Sequence, residues 1–263
     1  MSQAHTPNAL LWTSGSKNRK TGDIPTAWVR GEDRAASCKG CSHFDADKPS
    51  QSRCYAWSGT VSLGARSIDR AAKRDPQRYT VWEAIRRRKW SARIARLTAI
   101  GDPTAATNEE LVACLGVIES AGLRPIGYTQ RWYDPAREWL RGYLLASVNN
   151  AASTSRALSA GWKVARTVPL ATFMEAMNAD GPHTMRAMNG TMKPDTLHLC
   201  PAQVAELQAD SAPTTCNECR MCDVDALKRA GLGGVVFAMH GPSAEGTAYR
   251  QAVAAARAER VTQ

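Results

Sequence analysis

LLASVNNAASTSRALSAGWKVARTV, residues 144–168, contains the pattern that decides the fold. Two short apolar runs, Leu144–Val148 and Lys163–Val168, flank the helical stretch Ala151–Ala160, and only short links separate them. A strand, a helix and a second strand in this order form a right-handed crossover, which makes the two strands parallel. The stretch therefore predicts one unit of an α/β fold.

The same alternation continues on both sides of this unit. Further strand candidates are Thr26–Val29, Arg96–Ile100, Pro125–Thr129 and Asp195–Leu199, and further helix candidates are Ala65–Ala92, Asn108–Ala121, Asp134–Arg141 and Leu170–Asn178. Together the strands after residue 25 form six βα units. We therefore predict the α/β class and a partial (β/α)6 TIM-type barrel, since a closed barrel of this type needs eight units.

The pattern also divides the chain into three predicted regions. Residues 1–25 form an N-terminal β extension, and residues 26–199 form the partial barrel. Residues 200–263 form a C-terminal cysteine-rich cap with a helix over Val224–Arg229, a strand over Gly234–Met239 and a helix over Ala244–Arg260.

Composition and the start of the chain predict a cytoplasmic protein. The hydrophobic content of 43% is sufficient for a core, and no run of about eighteen apolar residues is present, so we expect no membrane partner. The first residues, MSQAHTPNALLW, lack a basic region followed by a long apolar stretch, so we expect no secretion. Because cytoplasmic thiols stay reduced, the eight cysteines indicate metal or redox chemistry rather than disulfides.

The net charge of +10 is concentrated in one segment. Between Arg66 and Arg96 there are eleven Lys and Arg residues and three acidic residues, and the run Arg86–Lys89 is flanked by Trp82 and Trp90. A field of this sign attracts anions, so the segment predicts contact with nucleic acid. The alternative is a solvated helix face that keeps the protein soluble.

Four cysteines near the C-terminus have the spacing of a metal site. Cys216, Cys219 and Cys222 are separated by two residues each, and Cys200 lies sixteen positions upstream of Cys216. Four thiolates hold a [4Fe-4S] cluster, and three tandem ligands with two-residue gaps favour that assignment. A zinc ion uses the same four ligands, so zinc stays the alternative.

Three cysteines near the N-terminus form a second set, Cys38-x2-Cys41-x12-Cys54. Three thiolates on a four-iron cluster leave one iron open, which is typical of a catalytic metal centre. His43 lies close in sequence and completes a zinc site in the alternative interpretation. Cys114 falls at an apolar position of a helix, so we assign it to the core.

These cysteines, with the strand that precedes the first set, resemble the radical SAM superfamily. The segments Cys54-Tyr55-Ala56, Gly101-Asp102-Pro103, Gly127-Tyr128-Thr129 and Cys200-Pro201-Ala202-Gln203, with the tandem cysteines, are similar to a group of bacteriophage radical-SAM-like proteins that carry a C-terminal auxiliary cluster. The spacing of the first set departs from the common Cys-x3-Cys-x2-Cys, and the acidic turn has one glycine before Asp102.

The resemblance implies an enzyme with two [4Fe-4S] clusters and S-adenosylmethionine (SAM). Cys38, Cys41 and Cys54 are then the catalytic ligands. The residues that the resemblance assigns to SAM binding are Tyr55, Gly101, Asp102, Ser147, Asn149 and Arg166. An external donor supplies the electron, and in a phage-encoded protein the compartment is the host cytoplasm.

The phage resemblance and the basic segment together indicate DNA as the substrate. The specific hypothesis is a rearrangement of an amino-acid adduct on thymine, an isomerase reaction on a base turned out of the stack. Tyr128 and Trp132 are candidates for stacking on the base, and Arg131 for a phosphate contact. The alternative is a non-catalytic nucleic-acid-binding protein stabilised by zinc or by iron–sulfur clusters.

Overall fold

The computed structural model describes residues 8–15, 18, 20–39, 41, 44, 59–179, 183–188, 194–208, 214–239 and 244–262. Its strands are β1 (Leu10–Thr13), β2 (Thr26–Val29), β3 (Ile94–Leu97), β4 (Arg124–Thr129), β5 (Leu145–Val148), β6 (Val164–Val168), β7 (Thr184–Met188), β8 (Pro194–Leu199) and β9 (Gly234–Ala238). Its α-helices are α1 (Gly31–Cys38), α2 (Gly59–Arg74), α3 (Val81–Arg86), α4 (Asn108–Ser120), α5 (Ala151–Ser159), α6 (Leu170–Asn178), α7 (Pro201–Leu207), α8 (Cys216–Cys219), α9 (Val224–Arg229) and α10 (Ala244–Thr262). The 3₁₀ helices cover Pro76–Tyr79, Pro103–Ala105 and Pro135–Gly142.

The nine strands form one sheet in the order β1-β2-β3-β4-β5-β6-β9-β8-β7. β1 pairs antiparallel with β2, β7 pairs antiparallel with β8, and all pairings between them are parallel. The α/β class is therefore confirmed. β1 and β7 are the two edge strands in this pairing order. The predicted partial barrel stays a prediction.

The position of β9 differs from the simple order that the sequence suggests. This strand lies between β6 and β8 and pairs with both. Gly234 permits the close approach, since a Cβ there would collide with the carbonyl of Val164. The sheet thus contains strands from both sides of residue 200, where we predicted the start of a separate cap.

Helix α1 was not among the predicted helices. Its first turn carries Glu32 and Asp33, whose negative charges favour a helix N-terminus. The buried Arg34 donates to the carbonyl oxygen of Val29 and pairs with Asp69 of α2, with 3.0 Å between Nη2 and Oδ2. This contact fixes α1 beside the end of β2, and local sequence patterns do not reveal it.

Four further elements differ from the predictions. β3 ends at Leu97 because Thr98 and Gly101 adopt positive φ angles of 73° and 79°. The basic helical region is broken at Pro76, as its φ and missing N–H require, and α3 ends at Arg86. The predicted helix at 134–141 is a 3₁₀ helix, and β7 was not predicted.

The two faces of the sheet are covered differently. Most helices pack on one face and bury a core that includes Leu97, Ala146 and Val236. The other face carries Ile126 and Val235 and is covered by the segment around α8 and α9. Because neighbouring residues of a strand point to opposite faces, these clusters fix the direction of the other strand side chains. No helix in the described ranges is long and apolar enough to cross a membrane.

Candidate metal centres

The four C-terminal cysteines line a single cavity against the sheet. Cys200 follows the last residue of β8, Cys216 and Cys219 begin and end α8, and Cys222 lies two residues before α9. Sequence reasoning grouped these four residues from spacing alone, and the fold brings them together. We call them the quartet.

Local capping explains how residues 214–222, which we call the quartet loop, fold. Thr215 and Glu218 form a capping box, in which each side chain accepts a hydrogen bond from the backbone N–H of the other residue. Arg220 ends α8 in the left-handed conformation, with φ 53°. This one-turn helix presents Cys216 and Cys219 to the same cavity.

The quartet loop is anchored at the amino edge of the sheet. Asn217 accepts a hydrogen bond at its Oδ1 from the backbone N–H of Arg93, and its Nδ2 donates to the carbonyl oxygen of Ser91. Both partners precede β3. Cys200, by contrast, follows the carboxyl end of β8, so the quartet lies under the face of the sheet.

Burial determines the charge state of the quartet thiols. Burial first, and then the neighbouring thiols Cys216 and Cys219, raise the pKa of Cys200 to about 12. Burial also raises the pKa of Cys222 well above its usual value. These thiols stay protonated at neutral pH unless a cation replaces the protons, which is how metal binding to a cysteine site works.

The chemistry of the four thiols bears on which group they can hold. Within the part of the chain that the structure describes, no three His, Cys, Asp or Glu side chains are arranged to hold one metal ion. A single zinc ion gathers its sulfur ligands within about 3.8 Å of one another, as Zn–S bonds of about 2.3 Å require. A four-iron cluster is also held by four thiolates, so the donor set of the quartet suits either group.

Tyr128 belongs to the quartet environment. Its hydroxyl donates to Cys222 Sγ at 3.2 Å, and its ring packs edge-on against Phe237 with centroids 5.7 Å apart. Burial and the neighbouring thiols raise the pKa of Tyr128 well above its usual value, so it is a donor at all ordinary pH. These contacts do not favour the base-stacking role that we predicted for Tyr128.

The first two N-terminal cysteines lie beyond the carboxyl end of β2. Cys38 is the last residue of α1, and the backbone N–H of Cys41 donates to its carbonyl oxygen at 3.0 Å. Ser37 Oγ lies 3.9 Å from Cys38 Sγ. Cys54, Tyr55 and His43 lie outside the described residues, so their predicted roles stay predictions.

Asp102 connects the loops that follow three neighbouring strands. Its carboxylate is 5% exposed and accepts hydrogen bonds from four donors, which are Thr104 N, Thr104 Oγ1, Thr129 Oγ1 and Gln130 N. Its own N–H donates to Ser37 Oγ at 3.2 Å. Burial raises the pKa of Asp102, and the four donors oppose that rise.

These bonds change the role that we assign to Asp102. A carboxylate has about four lone-pair sites, and internal donors already use them. The residue therefore positions the loops around Cys38 rather than offering free oxygens to the SAM ammonium group. Gly101 has a φ of 79°, and a Cβ there would lie 2.6 Å from Val29 Cγ2, so this turn needs glycine.

Ser147 lies at the same edge as this network. Gln130 Nε2 donates to Ser147 Oγ at 2.8 Å, and Ser147 stands in register with Ala165 on the quartet side of the sheet. Asn149 follows β5 at an exposed position, and its Oδ1 accepts a bond from Asn150. Both SAM-binding candidates therefore lie at the carboxyl edge.

Arg166 does not lie with them. It is in register with Val148 and Val236, which belong to the helix-covered core. Its Nε is buried without a hydrogen-bond partner among the described residues. Arg166 therefore lies on the opposite sheet face from Ser147, which does not favour a shared contact with SAM.

The remaining substrate candidates have internal partners. Trp132 is 9% exposed, packs into the helix-covered core and has the Arg156 guanidinium 6.0 Å from its ring centroid. Its ring is therefore not available for base stacking. Arg131 donates to the carbonyl oxygen of Ala36 at 2.9 Å, which places its guanidinium at the end of α1, two residues before Cys38.

Sequence reasoning missed Ser37, Thr104, Thr129 and Gln130, which complete the Asp102 network. One signal was available, because Gln130 directly follows a strand of a parallel sheet, where functional side chains gather. Comparisons of the chain with protein-family models, with curated proteins and with solved structures found no match.

Proposed function

We propose that the chain is a radical SAM enzyme with two [4Fe-4S] clusters. The observation that carries the proposal is the network at the carboxyl edge, where Ser37 beside Cys38 joins Asp102, Gln130 and Ser147. It brings the ends of β2, β3, β4 and β5 to one place next to two of the three predicted catalytic thiols.

Cys38, Cys41 and Cys54 would hold the first cluster and leave one iron for SAM. SAM bound at that iron would supply, with one electron from an external donor, the radical chemistry that removes a hydrogen atom from the substrate. The chain's own part is to hold the site in place. Asp102 fixes the loops, and Ser147, Gln130 and the backbone of Gly101 offer hydrogen bonds at the edge.

The quartet would hold the second cluster. Four thiols around one apolar cavity support a closed cluster with no open iron. β4 links the two centres, since Tyr128 donates to Cys222 while its neighbour Thr129 donates to Asp102. Because Tyr128 and Thr129 are neighbours on one strand, β4 would hold the two clusters in fixed positions relative to each other.

The open parallel sheet is compatible with a partial (β/α)6 barrel, and the chemistry would take place at its carboxyl edge. The excess of positive charge supports nucleic acid as substrate, with a hypermodified thymine in phage DNA as the specific case and the host cytoplasm as the compartment. The alternative is a non-catalytic nucleic-acid-binding protein whose cysteines bind zinc or structural clusters.

Formation of 5′-deoxyadenosine from SAM tests the proposal. We expect the anaerobically reconstituted and reduced wild-type protein to form it, and Cys38→Ala and Cys54→Ala to lose it entirely. Cys219→Ala should retain part of the activity, because the first cluster is intact. Cys114→Ala is the matched control, since this buried thiol lies in the helix-covered core and should leave the product level unchanged.

Two results would count against the enzyme. A wild-type protein that contains clusters but forms no 5′-deoxyadenosine would favour the non-catalytic alternative. Equal loss in Cys114→Ala and Cys38→Ala would show that the assay reports folding rather than a catalytic ligand.

A further inference from the structure

The exposed tryptophans of the basic segment lie on an open surface. Trp90 is 96% exposed and Trp82 is 66% exposed. Exposed aromatic rings with cationic neighbours offer base stacking and phosphate contacts in one place. Trp82 lies in the first turn of α3, and Trp90 lies between α3 and β3.

Trp90 borders a groove of about 500 Å³ that is rich in arginine. We call it the arginine groove, and its charged lining residues are Arg88, Arg93, Arg124 and Arg220. The walls combine residues that are distant in sequence, from the basic segment, the start of β4 and the quartet loop. The basic run is visible in the sequence, whereas Arg124 and Arg220 join the lining of this groove only through the fold.

Most of the positive charge in the groove is not neutralised. Arg124 pairs with Asp223 and Asp225. Arg88 donates to the carbonyl oxygens of Ile85 and Ala121, which orient its guanidinium without cancelling its charge. In the described part of the chain no ion pair joins Arg88, Arg93 or Arg220 to a carboxylate.

A second groove includes residues from the start of the arginine run. It has a volume of about 480 Å³ and is lined by Trp82 with Arg78, Arg86 and Arg87, and by the carboxylates of Asp75 and Glu83. Glu83 is the shared partner of Arg86 and Arg87, so here too cations exceed carboxylates. Each groove therefore pairs one exposed indole ring with several guanidinium groups.

We propose that the two grooves form a docking surface for a single strand of nucleic acid. The guanidinium groups pair with phosphates, and bases stack on Trp90 and Trp82, which is the combination that proteins use for single strands. This inference deepens the proposed function and relies on it only for the substrate class. It assigns strand binding to residues outside the metal centres.

The docking surface and the Cys38 network lie at opposite ends of the strands. Arg124 begins β4 and Gln130 follows its end, so the groove and the network are separated by about 20 Å at roughly 3.3 Å per residue. A stacked strand covers that distance in about six nucleotides at roughly 3.4 Å each. A strand held at the amino edge is therefore long enough to reach the carboxyl edge after a few nucleotides.

The test is anisotropy of a labelled single-stranded DNA of about 20 nucleotides, titrated with the full-length chain in the absence of SAM and reductant. We expect Trp90→Ala to weaken binding roughly 5- to 100-fold, as the loss of one stacked base does, with an unchanged salt dependence. Arg78→Glu/Arg93→Glu should weaken binding and lower the slope of log K against log salt by about 1.4, which corresponds to two lost phosphate contacts.

Matched controls keep the inference falsifiable. Arg250→Glu/Arg257→Glu on α10 changes the net charge by the same amount, and Tyr133→Ala removes an exposed aromatic ring that neither groove contains. Both should bind as the wild type does. Equal weakening by the α10 pair would overturn the proposal, because binding would then follow net charge alone.

Two other outcomes would also overturn it. One is wild-type binding by Trp90→Ala, and the other is binding to phosphatidylserine vesicles but not to DNA. Because binding needs no SAM, loss of strand binding with normal 5′-deoxyadenosine formation would refute this inference and leave the proposed function standing.

Discussion

Asp102→Asn tests the network that holds the candidate site together. The substitution keeps the size of the side chain but replaces one acceptor oxygen by a donor NH2 group. The backbone N–H of Gln130, 2.6 Å from Oδ2 in the wild type, then faces a donor. An asparagine turned the other way faces the same conflict at Thr104 N, so neither orientation satisfies all four donors.

The magnitude follows from these contacts. Leaving one buried donor without an acceptor costs about 1–3 kcal/mol, and the remaining bonds weaken because they lose the charge. Burying a neutral amide is easier than burying a carboxylate, which offsets part of the loss. We expect a destabilisation of about 2–3 kcal/mol, which lowers the Tm by about 5–10 °C for a chain of this length.

Thermal unfolding followed by circular dichroism measures this change. Asp134→Asn is the matched control, because Asp134 caps an exposed 3₁₀ helix through one bond to Ala136 and asparagine caps equally well. We expect the control to shift the Tm by less than about 2 °C. If Asp102→Asn shifts the Tm no more than this control, Asp102 does not hold the loops as we infer.

Three further substitutions test other contacts. Gly101→Ala should destabilise the chain by about 2–4 kcal/mol in urea unfolding, because the new Cβ meets Val29 at a positive φ; a change below about 0.5 kcal/mol would disprove the close approach. Burial raises the pKa of Glu110, so the stability that the wild type has over Glu110→Gln should be fully present below about pH 4.5. This difference in the free energy of unfolding should fall as pH rises through the raised pKa, and a difference that grows with pH would contradict the sign. With clusters bound, Tyr128→Phe should lower the reduction potential of the quartet cluster by about 40 mV in a redox titration, the equivalent of roughly one hydrogen bond to Cys222; an unchanged potential would refute that bond.

The sequence predicted most of the sheet and the quartet for clear reasons. Short apolar runs such as Leu145–Val148 alternate with helices, and this period is local, so it is readable without the fold. Close spacing likewise groups Cys216 with Cys219 and Cys222. The pairing of β9 with β6 depends on packing between distant segments, and no local pattern specifies it.

The roles of side chains were harder to predict than the helices and strands. Arg166 lies two residues from both Val164 and Val168, so it shares their face of the strand, which is the helix-covered one. In so short an apolar strand, however, the sequence pattern is a weak signal of which face is buried. The donors to Asp102 come from residues up to 28 positions away along the chain. Only the fold brings them together.

Metal content is the most direct test of the account. Anaerobically purified and reconstituted wild-type protein should contain about eight irons and eight sulfides per chain with absorbance near roughly 400 nm, and Cys219→Ala should contain about half as much. Two zinc ions per chain without sulfide or colour would contradict the two-cluster assignment, and with it the proposed chemistry.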